Sequence, residues 1–306
     1  MALYLYSLDL PFTGVKLFYR ELTTEEHLHL SKAHFMIPQE DDFLADYGRV
    51  LRDVVLKCVK NKDDFKKINI VEYVLFLIKL RIISLGDEIE LQFKSFKENE
   101  GKIKITINLQ EFAQNLFKHT NNILNFEILE TEEMTIKLGW PMATSEKVFL
   151  QKQEKIILDS IIEFVDSLKI KDKEIKFKDF SLEEKTILFD KIPAKTQNKI
   201  QERVLNYVNK LSENSIFNDK VSEYLSFNFY NFSYQNILRL LFTENLKNLY
   251  MEYYLLSSKN LSISDVNKLT VAEKNIYMSF IKEENESQDS NSLMSEEDWS
   301  GEEPEY

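Results

Sequence analysis

The run INIVEYVLFLIKLRIISLG, Ile68 to Gly86, constrains this chain more than any other stretch. A helix that is apolar nearly all the way round needs burial on every side, so it belongs at the centre of a core. Glu72, Lys79 and Arg81 break the run before it reaches the length of a membrane span, which makes it a buried helix of a soluble fold. At about 100° per residue, Glu72 and Lys79 share a stripe that reads as the wet one. Arg81 falls on the opposite side, beside Val74, Leu77 and Ile78. A guanidinium there can reach past the helix end into water, complement the C-terminal dipole, or fork onto a carboxylate in the interior. Glu25, Glu26 and Glu88 are the carboxylates expected for the fork. Each use makes Arg81 architectural. Behind it, Gly86 can take positive φ to end the helix, and Ser84 can bond a freed helical carbonyl.

The elements before and after this helix predict an α+β domain. LYLYSLDLP and VKLFYREL alternate like strands around the turn Pro11-Phe12-Thr13-Gly14. A helix is expected from Thr24 and another through FLADYGRVLRDVVLKCV. DEIELQFKSF and KIKITINL form a hairpin around Lys97–Gly101, with Ile103, Ile105, Ile107 and Leu109 on one face; NFEIL and MTIKLGW add strands. Glycines stand at 14, 48, 86, 101 and 139 and then not again until Gly301. With Pro141 discouraging helix or central strand, this places one domain at 1–141 and a mainly helical one at 142–282. Within the second, Val148, Phe149, Ile156, Ile157, Ile161, Phe164, Val165 and Leu168 suit one helical face, and further helices fit Lys195–Leu211, Tyr234–Leu256 and Val271–Lys282. The aromatic stretch Phe227–Asn236 reads as core-facing.

Three similar stretches, at Arg20–Glu26, Lys178–Glu184 and Leu269–Glu273, have a local cause. Thr23, Ser181 and Thr270 can each cap a helix, and Glu26, Glu184 and Glu273 can answer as the other half of a capping box.

The net charge of −12 belongs to the end of the chain. Residues 283–306 hold ten acidic groups and no basic ones, leaving 39 basic against 41 acidic elsewhere. That body offers no basic stripe for nucleic acid. The acidic segment is expected to be a disordered tail, either a solvating end or a docking peptide anchored by Leu293, Met294, Trp299 and Tyr306. Cys58 is the sole cysteine, which excludes an intramolecular disulfide and a Cys-based zinc cluster and fits a reducing cytoplasm. No signal peptide is expected in MALYLYSLDLPF.

Motifs of catalysis and cofactor binding are missing from the sequence: no Walker loop, dinucleotide fingerprint, zincin pair or nucleophile elbow. His27, His29 and His34 crowd together, but on a helix His27 and His29 diverge by about 160° and cannot chelate one ion. The doublets Glu25/Glu26, Asp41/Asp42, Asp63/Asp64 and Glu132/Glu133 diverge likewise. The chain is expected to be no enzyme and to bind neither metal nor cofactor.

Leu10-Pro11 with Gly14, then Arg20, Thr23, Glu25 and Glu26, then Leu80, Arg81, Ser84 and Gly86 ahead of an alternating strand form a distributed pattern over residues 10–141. It resembles the T4-type bacteriophage baseplate hub assembly protein family. The resemblance implies a contractile-tail phage protein, made in the bacterial cytoplasm, that assists assembly of the central hub or is a minor part of it. Its partners would then be hub or tail proteins, and no active site is implied. A baseplate-borne wall hydrolase and a chaperone absent from the virion are the alternatives. Cysteines associated with the family's hairpin turn are replaced by Lys97-Glu98-Asn99-Glu100-Gly101, so any zinc role would be lost.

Overall fold

A tight turn and a helix N-terminus organise the first quarter of the chain. The computed structural model describes residues 4–37, 43–94, 102–114, 128–130, 134–145, 159–171, 173–212, 216–218, 223–225, 241–242 and 244–297. Strand β1 (Tyr6–Asp9) pairs antiparallel with β2 (Lys16–Tyr19), Tyr6 opposite Tyr19. Gly14 closes the turn at φ +66°, where a side chain would be strained. The turn amides of Phe12 and Thr13 donate to Glu72 Oε1 at 2.8 and 2.9 Å. Glu72 is therefore fully buried, contrary to the wet stripe expected for it. Angle alone assigned that stripe; capping overrides it. Asn69 accepts from the Glu72 amide, and the Glu72 carboxylate accepts from the Asn69 amide. A carboxylate at a helix N-terminus meets free amides and the positive end of the dipole, so burial there is tolerated.

Helices α1 (Thr24–Met36), α2 (Phe43–Cys58), α3 (Lys62–Phe65) and α4 (Ile70–Leu85) follow. Twelve of the sixteen α4 residues are buried, which makes it the axis of the core. Tyr19 and Phe65 meet Phe76 edge-on at 5.1 and 5.9 Å between centroids. Each fully buried side chain of this size contributes about 1.5–3 kcal/mol. Beyond Gly86, β3 (Glu88–Lys94) pairs with β4 (Lys102–Asn108) from Glu88↔Asn108 to Lys94↔Lys102. Ile107 and Leu109 are buried on the expected face, and residues 109–114 are helical. The turn Lys97–Gly101 lies outside the described residues.

β5 (Ile128–Glu130), β6 (Met134–Leu138), β7 (Val165–Ile170) and β8 (Lys173–Lys176) form one antiparallel sheet in that order. This corrects two expectations. Val165 and Leu168 lie on a strand, after a helical stretch at 159–163, instead of continuing one helix. Spacings of three and four residues in a short apolar run suit a helix and a two-faced strand alike. The expected helical residues Val148, Phe149, Ile156 and Ile157 lie outside the described residues. The sheet also joins strands from both sides of Pro141. Ile136, Phe164, Phe177, Phe189 and Ile200 share one apolar core with Leu17, Phe76 and Leu80. Glycine usage marks a change in turn chemistry, and the core runs across it.

The later part is mainly helical: α5 (Leu182–Asp190), α6 (Ala194–Ser212), α7 (Leu246–Ser258), α8 (Ile263–Lys268) and α9 (Val271–Glu297), with one short hairpin of β9 (Ile216–Asn218) and β10 (Glu223–Leu225). Of the helix expected over Tyr234–Leu256, residues 234–240 lie outside the described residues and 241–242 are helical; α7 opens at Leu246, where the Asn245 side chain accepts the Lys247 amide and caps it. Phe227–Asn236 lies outside the described residues. Leu249, Tyr253, Leu256, Val266, Met278 and Ile281 form a second cluster with Leu28 of α1. α9 runs on through Glu297 and so takes in the first part of the acidic segment, while 298–306 lie outside the described residues. Low hydropathy forbids a core of its own, but a helix already nucleated by buried turns extends one bond per residue. No described helix is long and apolar enough to cross a membrane.

Candidate functional site

Arg81 is 8% exposed and spends its guanidinium on backbone. Nη1 donates to the Gly86 carbonyl at 2.6 Å and Nη2 to the Glu88 carbonyl at 3.3 Å. The expected fork onto a carboxylate is replaced by a clamp on the two carbonyls that turn helix into strand. Local geometry explains it. Gly86, at φ +93°, ends the helix with its amide on the Ile82 carbonyl, and the chain beyond folds back over the last turn. Burial lowers the Arg81 pKa to about 10 against the pull of Glu244 and Asp87. Ser84 also departs from expectation: its Oγ accepts the Leu22 amide at 3.0 Å, tying the corner to the segment ahead of α1.

Glu26 belongs to a nearer arginine. Arg20 takes both its oxygens at 2.7 Å, the bidentate geometry of a strong pair. Burial acts to raise the Glu26 pKa, but Arg20 and Thr23 hold it below the usual carboxylate range. Cys58, beside this pair, is pushed up to about 12 by burial and by Glu26. Glu25 instead faces a cleft of about 910 Å³ between α1, α2 and α8, whose lining mixes Glu25, Asp265 and Glu273 with Lys32, Lys57 and Lys268.

Arg81 also borders a buried polar junction that sequence reasoning missed. His27 of α1 is fully buried, with Nε2 3.8 Å from Glu244 Oε2. Burial, Lys274 and Arg81 push its imidazole down to about 3. Lys274 of α9, 1% exposed, pairs with Glu252 of α7. Burial raises the Glu244 carboxyl, with Lys274 and Arg81 opposing. Lys274 was findable, because it stands on the helical stripe of Val271, Met278 and Ile281. Nothing local flags Glu244. Among the described residues, no group of three or more histidines, cysteines or carboxylates is arranged to hold a metal ion.

The remaining candidate is surface. α7 exposes Tyr250, Met251 and Tyr254 while burying Leu249, Tyr253 and Leu256. α9 exposes Ile276, Tyr277 and Phe280 while burying Val271, Met278 and Ile281. Both helices thus carry apolar side chains on two faces, one buried and the other largely exposed, with Lys32 of α1 over the Tyr250 ring at 5.4 Å. Leu293 and Met294 fall within the α9 range; Trp299 and Tyr306 lie outside the described residues. This arrangement offers apolar and aromatic surface for binding.

A family model described as T4 bacteriophage base plate protein matches residues 1–223. No curated protein and no solved structure matches the chain.

Proposed function

The chain belongs to the T4 bacteriophage base plate protein family, and from that premise we propose that it is a non-enzymatic tail protein serving the central hub. In this reading it assists hub assembly, or forms a minor part of the hub, through protein–protein contacts. It works in the host bacterial cytoplasm while the contractile tail is built. The observation that carries the reading is the pair of exposed apolar faces on α7 and α9. Apolar faces of this kind mark contact sites, and covering one on assembly favours a particular order of addition. The buried charges support the same reading. Arg81 closes on its own corner and Arg20 on Glu26, so both serve the fold. Leu293, Met294, Trp299 and Tyr306 are proposed as further anchors in the acidic segment.

Mass spectrometry of gradient-purified tail intermediates and virions tests this. The chain is expected to sediment with hub-containing intermediates. A chain found in no tail intermediate overturns the hub role. Clearing of bacterial wall by the purified protein in a zymogram, lost on substituting one carboxylate, overturns the non-enzymatic role.

A further inference from the structure

We infer that the outer stripe of α9 docks into a protein partner whose contact face is apolar and rimmed by lysine or arginine. The inference deepens the proposed contact function and rests on it.

The inner stripe, Val271, Lys274, Met278 and Ile281, faces the fold and is buried. Ile276, Tyr277 and Phe280 lie on the other side, 55%, 43% and 59% exposed. Ile276 and Phe280, four residues apart, stack one turn above the other and make a ridge. A helix with apolar stripes on both sides is a helix meant to be covered on both. Charge identifies the cover. Glu273 precedes the ridge by one turn, and Glu283 and Glu284 follow it by one turn. Lys259 pairs with Glu284, an exposed contact worth little, and Glu283 remains exposed beside the ridge. From there to the end of the chain lie ten acidic residues and no basic one, Glu283 and Glu284 among them. The described flank carries Glu273, Glu283 and Glu284 against the exposed Lys282, and the sequence after it adds only acidic charge, so a basic rim is attracted and an acidic rim repelled, which sets partner choice and speeds encounter. A second copy of the chain brings the same acidic run with it, so self-association works against like charge.

The test uses the full chain and two synthetic helical peptides with the same Leu/Phe stripe, one flanked by lysines and the other by glutamates. Fluorescence anisotropy is expected to show binding of the lysine peptide alone, weakening as salt rises. The Ile276→Ser/Phe280→Ser variant is expected to bind it at least tenfold more weakly with an unchanged melting temperature, both side chains being exposed. Equal binding of the two peptides, full binding by the double variant, or loss only on truncation after Asn285 overturns the inference. So does self-association that the double variant abolishes. A chain that sediments with tail intermediates yet fails these tests loses the docking surface and keeps the base plate role. One that is absent from those intermediates loses the base plate role first.

Discussion

Thr24 donates both its amide and its hydroxyl to the carbonyl of Leu269, at 2.8 and 3.0 Å, across 245 positions of the chain. Val271 returns its amide to Leu22 at 3.2 Å. The N-termini of α1 and α9 therefore stand against each other, each closed by its own capping box, Thr23 with Glu26 and Thr270 with Glu273.

These two caps should act as a unit. Thr23→Ala and Thr270→Ala are each expected to cost about 1 kcal/mol. Because the caps flank one bridge, the double variant should depart from the sum by more than about 0.5 kcal/mol. Urea denaturation of the four proteins checks this. Additive losses would mean that the bridge couples nothing.

Arg81→Met takes the charged donor from the carbonyls of Gly86 and Glu88, and because both of those residues are exposed and water can replace part of the bond, it should cost about 1–2 kcal/mol. Arg81→Lys should recover only part, since one ammonium cannot reproduce a planar fork. Gly86→Ala should cost more than about 1 kcal/mol, although no atom stands within 4 Å of an added Cβ, because φ +93° strains any side chain. Thermal melts with hydrogen exchange across 82–90 would report it. A neutral Arg81→Met would remove the clamp from the account.

His27 gives stability a pH dependence. Its folded imidazole is pushed down to about 3, whereas an unfolded one titrates near 6.5. Between those values the unfolded chain takes up a proton that the folded chain refuses. The contribution is complete above about 6.5 and is lost as pH falls toward about 3. Glu244, raised by burial, opposes this slope and stays in place when His27 is replaced. Denaturation midpoints from pH 7 to 4 should fall less steeply for His27→Leu than for the natural chain. Parallel curves would show that the imidazole is not held neutral.

Truncation after Asn285 should change stability by less than about 1 kcal/mol. Among the residues whose burial is described, the buried stripe of α9 ends at Ile281, and the pair of Lys259 with Glu284 is retained and exposed. A large drop in melting temperature would place packing contacts beyond Asn285.

Short-range chemistry is where reading residues in order succeeded. Thr23, Ser181 and Thr270 cap their helices because an N-cap oxygen and a glutamate three residues on need only one turn of backbone to meet. The two early hairpins follow from period-two alternation, and the first closes on a glycine that can take positive φ. Glu72 was misplaced because its partners, Phe12 and Thr13, come from a turn some sixty positions earlier. Val165 and Leu168 were misplaced because their spacing fits two periods, and only the pairing of β7 with β6 and β8 selects one.

Local order in the chain thus settled the caps, most of the helices, the early strands and the glycine that ends α4, all governed by contacts within one or two turns. Three-dimensional packing settled which charges are buried and which partners receive them. Arg81 met carbonyls instead of a carboxylate, and Glu244, Glu252 and Lys274 gathered around a neutral histidine, because desolvation depends on what the rest of the chain brings alongside.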